Sequence, residues 1–173
     1  PTAMAGLRLR LPSQRYFEEE RDALPSPRDF GILMHRVFEN AATTDEIYMA
    51  IEAMTQDGVL DEKEAPRLRE LVEKALADPV TAEWFGGRWQ VVRNENEIIL
   101  PGSGTTRRPD RVMTDGERAV VVDYKFGDRE TARHRKQIRE YLRLLRQMGY
   151  TRTEGYLWYV RLGRTERVEE KED

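Results

Sequence analysis

The chain contains no cysteine. That one absence removes a disulfide framework, a thiolate zinc site, an iron–sulfur cluster and a cysteine nucleophile. No apolar run approaches the length needed to span a bilayer, and no charged start followed by an apolar stretch has the pattern of a signal peptide. A membrane partner is therefore not expected, and the cytoplasm is the expected compartment. An initiating methionine is missing too, so Pro1 to Gly6 reads as a cloning scar or as a boundary chosen inside a longer protein. Internal repeats and low-complexity tracts are absent. What remains is a chain of 173 residues, 39% hydrophobic and 35% charged, which suits one domain with one core and a heavily solvated surface.

A surplus of positive charge is also missing, since the formal net charge is -3, and phosphate-binding proteins usually carry a basic footprint. The distribution changes that picture. Residues 1–100 hold 12 Lys and Arg against 19 Asp and Glu, whereas residues 101–164 hold 15 against 8. Residues 165–173 hold 2 against 5 and read as an acidic, solvated tail. We therefore expect an extension over 1–27, a folded domain over 28–164 and a tail over 165–173.

Apolar residues recur at helical spacing from Arg28 to Ala42, in a second stretch capped by Thr43, Thr44 and Asp45, and in a third from Asp61 to Ala77. After Pro79 short β-rich runs take over: Trp89–Val92, Ile98–Leu100, Arg111–Met113 and Ala119–Tyr124. Asp115 and Gly116 mark a tight hairpin turn between the last two. Helical spacing returns from Arg133 to Met148, and a final strand covers Tyr156–Val160. Helices, three or four antiparallel strands, one helix and one strand make a mixed sheet flanked by helices, an α/β fold.

The run AVVVDYKFG ends an apolar strand with an acid and, two residues later, an amine. Side chains alternate along a strand, so Asp123 and Lys125 share one face. Across the expected hairpin lies Asp110, in RRPDRVM. Two carboxylates brought together repel unless a proton or cation lies between them, and oxygen ligands suit Mg²⁺ or Mn²⁺. An isolated D-x-K is more often a solvated strand end; the second acid at hairpin distance is what raises it to a candidate site.

The segments GILMHRVFE, NENEIIL, RRPDRVM, VVVDYKFG and QIREYL, in that order, resemble the RecB-like nuclease domains of the PD-(D/E)xK superfamily, as found at the C-terminus of UvrD/RecB-type helicases. The likeness covers about residues 28–162. It implies a restriction-endonuclease-like αβββαβ core with extra helices inserted after the first. It also implies a DNA nuclease dependent on Mg²⁺ or Mn²⁺ in DNA repair or recombination, acting on single strands delivered by a covalently linked or associated ATP-dependent helicase. The chain itself lacks the ATPase motifs of such helicases and the cysteines that hold an iron–sulfur cluster in some relatives.

By the same resemblance, Asp110 and Asp123 are metal ligands together with the backbone carbonyl of Tyr124, and Lys125 is the catalytic lysine. His35 matches a histidine ligand. Taken alone, a histidine on an amphipathic helix is more often simply packed or exposed. Glu39, one turn on, supports the site or faces solvent, and Glu95, with Glu97 competing, matches an acid before the loop. Gln137 and Tyr141 match a Q-x-x-x-Y pattern that would face the site and hold water or DNA phosphate; on the residues alone they are a solvent-facing amide and a core aromatic. Arg135, Lys136, Arg139 and Arg143 on that helix would track the DNA backbone, or form a solvated helix face. The rival expectation is a nuclease-like domain that binds DNA or a partner without cutting.

Overall fold

The computed structural model describes residues 27–94, 98–99, 106–126 and 132–171. Glu95 and Glu97 lie outside them. Four helices come first: α1 (Pro27–Glu39), α2 (Thr44–Gln56), α3 (Glu64–Ala75) and α4 (Pro79–Trp84). Thr43 starts α2 with a capping box, accepting from the Glu46 amide at 3.3 Å while the Glu46 carboxylate accepts from its own amide at 3.2 Å. The six-residue α4 was not expected from apolar spacing, because so short a helix shows no period. Its signals are local: Asp78 accepts from the Val80 amide at 2.8 Å, and Pro79 holds the first helical position.

The strands are β1 (Val91–Asn94), β2 (Ile98–Ile99), β3 (Thr106–Arg107), β4 (Arg111–Asp115), β5 (Arg118–Lys125), β6 (Arg152–Tyr159) and β7 (Arg164–Arg167), with helix α5 (Ala132–Gln147) between β5 and β6. β2 and β3 form a small separate ladder; the main sheet runs β1-β4-β5-β6-β7. Within it only β5 and β6 are parallel, and α5 is the crossover that a parallel pair requires. The mixed, helix-flanked α/β sheet is the expected one. The expected acidic tail, in contrast, continues the sheet: Arg164–Arg167 pairs with β6, and Val168 is buried. Its charges hid the strand, since Arg-Thr-Glu-Arg carries no apolar alternation. Glu166 is instead partnered by Arg135 of α5.

The apolar run in β5 is explained by burial on both sides. Val120, Val122 and Tyr124 pack with Trp158 against α1–α4, while Ala119 and Val121 pack with Leu157 and Tyr159 against α5. An aromatic cluster joins the layers, with Phe38 of α1 stacked on Phe85, Tyr124 and Trp158 at 5.0 to 5.5 Å between ring centres. Among the described residues, no helix is long and apolar enough to cross a membrane.

Candidate active site

β5 carries its apolar residues to Val122 and then delivers Asp123, Tyr124 and Lys125 at the end of the sheet. The neighbouring β4 pairs antiparallel, Arg111 opposite Val122 and Asp115 opposite Arg118. Continued by one residue, that register sets Asp110 directly across from Asp123. A turn at Asp115–Gly116 would have put Asp110 opposite Val121. The loop instead comprises Gly116 and Glu117, with Gly116 at φ +58°, a left-handed conformation that glycine adopts without penalty. Moving a turn by one residue moves every partner by two, which keeps side chains on the same face and brings the acids closer.

Each acid also holds the other's strand. The Asp110 amide donates to Asp123 Oδ1 at 3.1 Å, and the Tyr124 amide donates to Asp110 Oδ2 at 2.7 Å. His35 arrives from α1: its Nε2 lies 2.9 Å from Asp110 Oδ1, and its Nδ1 lies 3.7 Å from Glu39 Oε2. The approach of α1 depends on Gly31, one turn before His35, because a Cβ there would lie 2.8 Å from Cβ of Phe126. His35, Asp110 and Asp123 are thus neighbours despite lying far apart in the chain.

Asp123 is only 4% exposed. Burial first, and then the charge of Asp110, push its carboxyl up to about 6, against the opposing pull of Lys125. Lys125 Nζ stands 3.7 Å from Asp123 Oδ2, close enough to attract and too long for a hydrogen bond. A buried carboxylate left short of positive charge is one that a cation would relieve, and the two carboxylates suit a hard divalent ion, with the imidazole nitrogen a softer donor beside them. The donor chemistry therefore fits Mg²⁺ or Mn²⁺. Among the described residues, however, no three His, Asp or Glu side chains are grouped as a ready cage; Asp110 spends one oxygen on His35 and the other on the Tyr124 amide.

On α5, Gln137 Nε2 donates to the Tyr141 hydroxyl at 3.1 Å, and Tyr141 is fully buried in the core beneath the sheet. Gln137 is the partly exposed member of the pair. The basic residues expected along DNA divide in two. Arg135 pairs with Glu166 of β7, and Arg139 Nε donates to the Glu169 carbonyl just beyond that strand at 3.2 Å, so both tie α5 to the C-terminal segment. Lys136 and Arg143 are exposed. Two residues were not singled out from sequence. His134, in the first turn of α5, has a buried Nδ1 without a hydrogen-bond partner among the described residues. Burial first, then the charges of Lys125, Arg133 and Arg135, lower its pKa. The other is Arg111, wholly buried beside Asp110.

The sequence matches the PD-(D/E)XK nuclease superfamily over residues 5–173. A comparison with curated proteins gives no match.

Proposed function

The chain belongs to the PD-(D/E)XK nuclease superfamily, and from that premise we propose that it is a Mg²⁺- or Mn²⁺-dependent deoxyribonuclease, the nuclease part of a larger helicase–nuclease in DNA repair or recombination. The observation that carries the reading is the opposition of Asp110 and Asp123 at the end of a buried strand, with Lys125 on the same face. Asp110, Asp123, the Tyr124 carbonyl and His35 would hold the cation. When bound, it supplies charge neutralisation at the phosphodiester and a lower pKa for the attacking water.

The protein's own groups do the rest. Lys125, held toward the carboxylates by attraction to Asp123, offers an ammonium to charge building on the phosphate oxygens as water adds to phosphorus and the P–O ester bond breaks. Gln137, fixed through Tyr141, orients a water or a phosphate oxygen. Lys136 and Arg143 supply the sequence-independent attraction to the DNA backbone, and single strands from a linked helicase are the proposed substrate.

The test is incubation of labelled single- and double-stranded DNA with Mg²⁺, with Mn²⁺ and with a chelator, beside an Asp123→Ala control. Metal-dependent cleavage that vanishes in the control while DNA affinity holds or improves is the expected result. One observation favours the rival reading, binding without cutting: His35 and Asp110 are already bonded to each other. Cleavage by the Asp123→Ala protein at the wild-type rate, or no cleavage by either protein despite tight DNA binding, would overturn the proposal.

A further inference from the structure

Arg111 follows Asp110 in the chain and is wholly buried, yet among the described residues no carboxylate forms an ion pair with it; Glu46 acts on it only at longer range. Its two Nη groups are spent on three backbone carbonyls and one side-chain amide, while its buried Nε has no hydrogen-bond partner among the described residues. Nη1 donates to Ala41 O at 2.6 Å and Asn94 Oδ1 at 3.1 Å, while Nη2 donates to Ala42 O and Trp84 O, each at 2.7 Å. The group lies over the Phe85 ring, 4.0 Å from its centre. Asn94, at the end of β1, closes the cluster by donating to Ala41 O at 3.2 Å.

These carbonyls are not arbitrary. Ala41 and Ala42 follow α1, and Trp84 is the last residue of α4. Helix ends leave carbonyls unpaired and carry partial negative charge. The last residue of α4 and the link between α1 and α2 therefore supply the oxygens for one buried cation, and the planar fork of arginine reaches both at once. The grip has a consequence at the site. One end of it is covalently joined to Asp110; the other holds the exit of the helix that carries His35. The imidazole and the carboxylate are 75 residues apart in sequence and meet at 2.9 Å.

We propose that Arg111 is a positioning residue that clamps the exit of α1 to the strand beginning after Asp110, fixes the distance at which His35 meets Asp110, and thereby sets the affinity of this pocket for a divalent cation. The last clause rests on the nuclease reading; the clamp itself does not. Arg111→Lys keeps a positive charge but loses the fork. Asn94→Ala leaves Arg111 in place and removes one bond to it and one to Ala41 O. Leu68→Ala opens the core in α3 at a residue that makes none of the hydrogen bonds to Arg111, and controls for loss of stability alone.

The metal-free proteins are compared by ¹⁵N imidazole NMR at one neutral pH. The chain has two histidines, so a His134→Gln background assigns His35. The expected wild-type signal is a protonated, hydrogen-bonded Nε2. It should be lost in Arg111→Lys, weakened in Asn94→Ala and retained in Leu68→Ala. A titration with Mn²⁺ alone should show affinity lowered about 10-fold or more in the first two variants, the usual effect of removing support behind a metal ligand. Wild-type His35 signals in folded Arg111→Lys and Asn94→Ala would reduce Arg111 to a core group. Should Arg111→Lys fail to fold, Asn94→Ala decides alone. A wild-type protein that binds no Mn²⁺ would count against the nuclease reading, while the NMR comparison would still decide on the clamp.

Discussion

At the scale of the residue, Lys125 separates chemistry from binding. Lys125→Met keeps the aliphatic stem and removes the charge, so the end of β5 should still pack. Turnover should fall by about 10²-fold or more, the typical loss on deleting one positioned charge-stabilising group, with Mn²⁺ affinity and DNA affinity little changed. Single-turnover cleavage beside a binding titration checks this; normal cleavage would leave Lys125 a strand-end residue. Asp123 makes a claim about pH. Its folded carboxyl, pushed up to about 6 from an ordinary 3.8, favours the folded state when protonated. That stability is present in full below about 3.8 and is lost as pH rises through 6, a span worth on the order of 2 to 3 kcal/mol. Chelator-treated protein should therefore gain less stability from pH 4 to 7 than Asp123→Asn, whose slope lacks this group, and identical urea midpoints for the two across that range would refute the shift. The acid and lysine were legible in sequence because a strand's alternation is strict. Arg111 was not: an arginine at a strand start reads as solvated until the helix ends that surround it are known.

Elements place these groups through contacts that a linear pattern does not carry. Gly31→Ala tests the approach of α1. A helix interior gains about 1 kcal/mol on exchanging glycine for alanine, but here the methyl meets Phe126 at 2.8 Å. The helix should be pushed from the strand end, lowering cleavage about 10-fold or more while the melting temperature moves only a few degrees; unaltered cleavage would show that α1 has room to spare. On α5 the charges should divide by partner. Lys136→Glu and Arg143→Glu should weaken DNA binding and make its salt dependence shallower by about one unit for each phosphate no longer neutralised. Arg135→Gln should instead lower stability by separating α5 from β7, and an equal effect of all three on binding would contradict the division. The first three helices were readable from apolar period and caps, and β5 from its apolar run. α4 was too short to show a period, β7 too charged to show alternation, and the hairpin loop lay one residue beyond the Asp-Gly pair that signalled it. The misses have different causes: α4 carried only the local signals of Asp78 and Pro79, whereas β7 is specified by its neighbours in space.

The whole molecule gathers the pocket from segments that are distant in the chain. His35 and Asp110 are separated by 75 residues, and β5 finds its parallel partner only after α5 has been crossed, with Asp123 opposite Leu157. This has a meaning in time. The helices close on local contacts, whereas the ladder between β5 and β6 and the contact of α1 with the strand ends require long loops to close first, and such topologies fold more slowly. On dilution from denaturant, far-ultraviolet ellipticity should return before cleavage does, with the pocket among the last parts completed; simultaneous return would mean that the distant segments dock from the outset. A chain emerging from the ribosome would thus carry an incomplete pocket until β6 was made, and the proposed cleavage of DNA would wait on the end of its own synthesis.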